Sequence, residues 1–538
     1  MWHVEYTLRP RVDARNGASV SSDRVRALPR YTLLLLAGGM SALAFAPLGL
    51  WPLTFLAIAL LVDRVVRAMT LRDALIRGWA FGLGHFIVGL NWIATAFTYQ
   101  AKMPAWYGWV AVVLLSLYLA LFPAFAGAFA WRLSRHHRLG FAFVFPATWM
   151  LCEWLRATLF TGFAWNPIGA VWLAFPWVAQ SARWIGTYGL SGLVLLVAGL
   201  FWLGLQRRRL TTISLTLALV LALLLLGRSM NGPEEPRGAS AIRIVQPNIG
   251  QDEKNDPTKD EQHARLYASL SGTPTSVPRL IFWPEAATLR ILELEPQARE
   301  NLAALLGPRD ILITGGASVT LDPSGGGDDV YRNSVFALDS AGALRWRYDK
   351  AHLVPFGEYL PARPILARMG LSRLVPGDGD FSPGPGPGTF PLSGFSSGRA
   401  PASIGVQICY EIIFSGHVID ETQRPSFLFN PSNDAWFGAW GPPQHLAQAQ
   451  LRAIEEGVPV IRATPNGISA LISPTGRLIS TVPRHRAGVI DEFLPQPLPP
   501  TVFSRLGLWA CALFGLCLGA VGLAFCLIDN RMQRAHTR

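Results

Sequence analysis

Eight long, mainly apolar stretches of this 538-residue chain carry no Asp, Glu, Lys or Arg, and seven of them lie in its first 230 residues. They are Tyr31–Val62, Gly78–Ala101, Met103–Trp131, Leu139–Cys152, Ala157–Ala182, Trp184–Gln206, Leu210–Gly227 and Leu506–Ile528. A helix needs about 20 apolar residues to cross a bilayer, so the pattern predicts a multi-pass helical membrane domain. The first stretch is long for one span and is broken by Pro47, Gly49 and Pro52, which predicts a tight pair of helices. Ala157–Ala182 contains Gly162, Asn166, Pro167 and Pro176 and reads as a loop or re-entrant piece. Eight spans result. The arginines support that number: the tail at 1–30, Arg64–Arg77, Arg132–Arg138, Arg207–Arg209 and the tail at 529–538 then all fall on one side, the cytoplasmic one. The basic tail lacks the apolar centre of a signal peptide, so the first helix is expected to serve as an uncleaved anchor. Expected boundaries are 31–228 for seven spans, 229–504 for a domain on the opposite side, and 505–528 for the eighth span. The net charge of +12 is thereby explained as a topology signal, and no basic stripe or motif suggests nucleic acid.

The intervening residues are ample for a core of their own. Short β-type runs at Ala241–Gln246, Leu280–Trp283, Ile311–Thr314, Asn333–Leu338, Leu344–Tyr348, Ala402–Ile408, Ser426–Phe429, Val458–Arg462 and Ser469–Ile472 alternate with helical stretches. Those helices are expected at Lys259–Ser271, Glu293–Leu306 and Gln444–Glu456, which together predict an α/β layered domain. Ala367–Ala400, with its Pro-Gly repeats, reads as irregular, either a surface loop or a lid.

Of five cysteines, only Cys409 lies in this polar part; it has no disulfide partner there, which marks either a small core residue or a reactive thiol. Glu285, Lys350 and Cys409 each follow an expected strand, where open α/β sheets place their ligand sites. A carboxylate base, an ammonium and a thiol would together serve acyl transfer, although spacing alone does not bring the three together. His352 and His445 are alternative partners for the thiol. No His/Cys cluster has zinc spacing and no cofactor is expected.

These segments resemble the nitrilase superfamily, whose sites use Glu, Lys and Cys in that order. With the apolar helices, the resemblance narrows to the apolipoprotein N-acyltransferase family. It is carried by Val245–Ile249, Trp283–Glu285, Lys350–Tyr359, Ile408–Glu411, Asn430–Gly438 and Gln444–Leu446. It implies an αββα sandwich on the periplasmic side of a bacterial inner membrane, with Glu285 as base, Lys350 as oxyanion and thiolate stabiliser, and Cys409 as nucleophile. Glu358, Tyr410 and Glu411 match the family's supporting residues. The implied reaction moves an acyl chain from a phospholipid, typically phosphatidylethanolamine, through a Cys409 thioester to the N-terminal amine of a diacylated lipoprotein, with the enzyme as a monomer. A membrane-tethered amidase with water as acceptor is the alternative. The chain departs from the family pattern at Asn255, in place of a tryptophan, and at Val458 and Pro465, which leaves substrate contacts open there. Trp106, Tyr107, Trp109, Trp172 and Trp177 suit the membrane interface.

Overall fold

The computed structural model describes residues 31–99, 104–134, 137–230, 237–254, 256–321, 329–369, 380–396 and 401–536. The basic tail, Asn255 and much of the 367–400 stretch (370–379 and 397–400) lie outside the described residues. The first apolar run forms two helices, Tyr31–Ala42 and Trp51–Val66, with Pro47 and Gly49 between them. Leu71–Gly89 starts on a Thr70 cap, whose side chain accepts the Asp73 N–H, and bends by 48° into Ile93–Tyr99. Tyr107–Ser134, Arg138–Thr158, Ala182–Arg207, Leu210–Met230 and Leu508–His536 complete the helical body. Among the described residues four helices are long and apolar enough to cross a membrane, and a fifth if the bent pair is one span. Ala182–Arg207 is broken at Gly186, whose φ of 62° and ψ of −178° leave the helical region.

Among the described residues the polar domain contains twelve strands: β1 Arg237–Gln246, β2 Arg279–Phe282, β3 Ile311–Thr320, β4 Val330–Asp339, β5 Leu344–Asp349, β6 Thr389–Ser396, β7 Pro401–Val406, β8 Phe427–Pro431, β9 Val460–Ala463, β10 Ser469–Ile472, β11 Leu478–Val482 and β12 Gly488–Pro495. They form two six-stranded sheets, ordered β12-β1-β2-β3-β4-β5 and β11-β10-β9-β8-β7-β6. Each is parallel at its centre, β1-β2-β3 in one and β7-β8-β9 in the other. The fully buried central strands are continuous apolar runs such as Leu280-Ile281-Phe282 and Phe427-Leu428-Phe429, as a sheet covered on both faces requires. Ile244, Phe282 and Val335 meet Ile404, Phe427 and Ile461 between the sheets. Helices Asp260–Ser271 and Pro296–Ala303 flank the outside of the first sheet, where Tyr267 and Leu302 join Ile281 and Trp283 in a separate cluster.

Three expectations change. Ala367–Ala400 is not wholly irregular, because it contains β6, which pairs only with β7 at the sheet's edge. Proline is tolerated on an edge strand, so Pro391 does not exclude it. The helix expected over 293–306 shortens to Pro296–Ala303, with the proline in its first turn, a position that suits its fixed φ and missing N–H. Trp172 is not an interface anchor: it is buried against Phe55 and donates from Nε1 to the Leu190 carbonyl at 3.1 Å. Trp106, Trp109 and Trp177 are exposed.

Helix Gly441–Glu456 lies between the second sheet and the helical body, and Leu446, Ala449 and Ile454 share one continuous core with the apolar helices. Much of the polar contact comes from the proline-rich stretch after Thr158. Gln444 Oε1 accepts from Trp165 Nε1 at 2.8 Å and from Asn166 Nδ2 at 2.9 Å. Glu455 Oε1 accepts the Thr187 N–H at 2.6 Å, occupying a donor freed by the break at Gly186. Replacing Gln444 with leucine strands two buried donors. At about 1–3 kcal/mol for each buried group left unpaired, the melting temperature in detergent is expected to fall by several degrees, whereas Gln444→Glu retains the acceptor and most of the stability.

Candidate active site

The Glu285 turn leaves β2 and hangs on β3. Gly315 donates its N–H to the Pro284 carbonyl at 3.1 Å, and its own carbonyl accepts the Ala287 N–H at 2.9 Å. The approach is so close that a Cβ on Gly315 would lie 2.6 Å from Pro284 O and Ala286 N. Ala286 adopts a φ of 46°, a left-handed conformation costly for a residue with a side chain. Lys350 directly follows β5, which runs in the same direction as β2. Cys409 follows β7, with a φ of 51°, at the start of the 3₁₀ turn Cys409–Ile413.

These three residues are all buried, and the structure brings them together. Lys350 Nζ lies 2.9 Å from both carboxylate oxygens of Glu358 and 3.7 Å from Glu285 Oε1. Asn333 Nδ2 donates to Glu285 Oε1 at 2.7 Å and to Glu358 Oε1 at 2.8 Å, tying the two glutamates to one amide. The Val354 N–H fixes Glu358 Oε2 at 2.8 Å. The Asn433 N–H donates to Glu285 Oε2 at 2.7 Å and also points toward the Cys409 thiol. Burial alone would discharge Lys350, but the Glu358 and Glu285 carboxylates outweigh it and raise its pKa above the ordinary lysine range. Burial and the Glu285 charge push the Cys409 thiol well above its ordinary pKa, against the opposing pull of Lys350. The resting Cys409 side chain is therefore a protonated thiol, with the Glu285 carboxylate and the Lys350 ammonium as its principal charged neighbours.

Glu411 ties the Cys409 turn to the Lys350 loop. Its Oε1 accepts from Tyr348 Oη at 2.9 Å and from the Ala351 and His352 N–H groups at 2.8 and 3.0 Å, and its Oε2 accepts the Ile408 N–H at 2.7 Å. Tyr410 turns the other way and donates to the Gly162 carbonyl at 3.1 Å, so the residue after Cys409 touches the helical body. Both alternative histidines are engaged elsewhere. His352 stacks on Phe414 at 4.0 Å, with Nε2 2.8 Å from the Thr161 carbonyl. Burial and Arg462 lower the His445 pKa; the neutral ring faces the Cys409 main-chain oxygen with Nε2 at 3.0 Å and has Arg462 Nη2 3.0 Å from Nδ1. No histidine among the described residues hydrogen-bonds the thiol, which leaves a His352 or His445 pairing without support.

Sequence reasoning missed Asn333, Asn433, Lys254 and the fully buried Asp434–Arg462 ion pair at 2.7 Å. Asn333 had one visible signal, an amide inside a β-type run where such residues are depleted. Of the departures from the family pattern, Val458 is buried and Pro465 accepts the Ile249 N–H at 3.2 Å. Among the described residues no group of three or more His, Cys, Asp or Glu could hold a metal ion.

Two parallel-centred sheets facing each other, with Glu, Lys and Cys at the strand ends, define the carbon-nitrogen hydrolase class, here joined to a helical membrane domain. The profile of the carbon-nitrogen hydrolase domain matches residues 241–494, and that of the apolipoprotein N-acyltransferase N-terminal domain matches residues 37–200. The chain is 35% identical over 502 residues to the apolipoprotein N-acyltransferase of Rhodopseudomonas palustris, covering 89% of this chain and 92% of that one. It is 36% identical to the Allorhizobium ampelinum protein of the same name, over 86% of this chain and 89% of the relative. Among solved structures, Saccharomyces cerevisiae Nit3 of the nitrilase superfamily aligns with 49% of this chain and 92% of its own, at 17% identity and a TM-score of 0.33. The chain belongs to the apolipoprotein N-acyltransferase family, and it is a bacterial membrane protein.

Proposed function

We propose that this protein N-acylates lipoproteins through a thioester on Cys409. The observation that supports the reading is the position of the thiol: it lies beside Glu285 and the Glu358-bound Lys350, while the next residue, Tyr410, bonds the helical body at Gly162. In the first half-reaction Glu285 takes the Cys409 proton as sulfur attacks the ester carbonyl of a phospholipid. Lys350 offsets the oxyanion charge. The C–O bond breaks, the leaving glycerol oxygen takes the proton back from Glu285, and a lysophospholipid departs. In the second, the α-amine of a diacylglyceryl-cysteine attacks the thioester and passes a proton to Glu285; the C–S bond breaks and sulfur recovers the proton. Glu358, Tyr410 and Glu411 hold these groups in place.

The donor is phosphatidylethanolamine, and the enzyme works as a monomer. The Arg-rich segments at 64–77, 132–138 and 207–209 support a reading with those helix ends in the cytoplasm, eight spans, and the 229–504 domain on the periplasmic face of the inner membrane. A site facing the bilayer suits both substrates, because each is anchored in lipid. Family membership favours this reading over a tethered amidase. The test is turnover in mixed micelles of phosphatidylethanolamine and a diacylglyceryl-cysteine peptide. Equal yields of lysophospholipid and N-acyl peptide, with ping-pong kinetics, are expected; fatty acid release with no acyl-peptide would overturn the reading in favour of water as acceptor.

A further inference from the structure

Lys254 stands just before the position where the chain departs from its family pattern, and its side chain turns inward. It is 7% exposed, and Nζ donates to the Glu285 main-chain carbonyl at 2.7 Å. Among the described residues that carbonyl is its one hydrogen-bond acceptor, leaving two ammonium donors unused. The side chain lines a cavity of about 260 Å³ behind the Glu285 turn, walled by Ile249, Tyr267, Trp283, Ala286, Leu302 and Leu305. The turn is thus held from two sides, by the close approach of Gly315 and by Lys254, at the left-handed Ala286.

A buried ammonium does more than a neutral donor at such a place. The carboxylate of Glu285 and the thiol of Cys409 are the groups whose charge Lys254 feels most directly. Lys350 shares both neighbours. Across the cavity, helix Asp260–Ser271 contributes Asp260, Glu261, His263 and Arg265.

We propose that Lys254 is a positioning residue for acyl transfer: it clamps the Glu285 turn and supplies a second positive charge that favours the Cys409 thiolate as it forms. The inference rests on Cys409 being the nucleophile, but not on the identity of the acyl donor or acceptor. Burial lowers the Lys254 pKa to about 8, with Glu285 and Cys409 opposing the shift. Its charge is therefore present below that pH and lost above it, while its hydrogen bond to Glu285 survives as a neutral amine.

The test is the rate of Cys409 alkylation by iodoacetamide from pH 6.5 to 9.5, for the wild type, Lys254→Met and Lys254→Arg in detergent. One pKa unit of thiolate stabilisation is a factor of about ten in thiolate fraction. The wild type is expected to react about tenfold faster than Lys254→Met near pH 7, with the ratio falling toward one above pH 9. Lys254→Arg keeps its charge at high pH and should outpace the wild type there. A ratio independent of pH would mean structural support alone and would overturn the electrostatic role. If Lys254→Met does not fold, the arginine variant decides: an alkaline profile identical to the wild type overturns the proposal. Alkylation needs no lipid, so failure of the acyltransferase reading leaves this result separately readable.

Discussion

Replacing Lys350 with methionine is expected to abolish thioester formation and to destabilise the protein by about 3–5 kcal/mol, the usual cost of breaking a buried ion pair from one side. The reason lies in how its two neighbours are held. Glu285 and Glu358 share Asn333, and the ammonium is the positive charge bridging them, at 3.7 and 2.9 Å. Methionine fills much of the volume but leaves two carboxylates facing each other in a buried site. The oxyanion partner is lost with the ammonium. Thermal denaturation in detergent reads the first effect and acyl-enzyme formation the second. The double variant Lys350→Met with Glu358→Gln should recover part of the stability and none of the activity, because it removes one unpaired charge without restoring the ammonium. Full stability in the single variant would show that the three charges are not coupled.

Cys409→Ser separates chemistry from folding. The side chain is buried and small, so the substitution leaves the packing nearly intact, and stability is expected to stay within about 1 kcal/mol of the wild type. Turnover should fall by about four orders of magnitude or more, as for other removed nucleophiles. A hydroxyl gives up its proton far less readily than a thiol, and Cys409 is already held protonated by burial and by Glu285. A single carboxylate base that suffices for sulfur does not suffice for oxygen. Lysophospholipid release in detergent measures the loss.

The helical body was legible because uncharged runs of this length have few other destinations, and because Pro47 and Gly49 mark the break between the first two helices. The two central strand sets were legible as apolar runs. β11 and β12 were not expected, since strands such as Leu478–Val482 are half exposed and mix polar with apolar residues. β6 was concealed by prolines that an edge strand tolerates. At the site, residue type and strand-end position suggested Glu285, Lys350 and Cys409, and the family resemblance ordered their roles. What the sequence could not express was the closure around them. Asn333 joins two glutamates 48 and 25 residues away in the chain, and the Asn433 N–H reaches Glu285 across 148 residues. The first contacts depend on the strand order within one sheet and the last on two sheets meeting face to face, which no local pattern records. Lys254 was visible as a residue but not as a buried one.

The central claim is that Cys409 carries the acyl chain between two lipid-anchored substrates. Its most direct test is the mass of the Cys409 peptide after incubation of the purified protein with phosphatidylethanolamine and no acceptor. One acyl group on Cys409, removable by hydroxylamine and absent from Cys409→Ser, is the predicted result. An unmodified Cys409 while the phospholipid is consumed, or an acyl group on another residue, would contradict it.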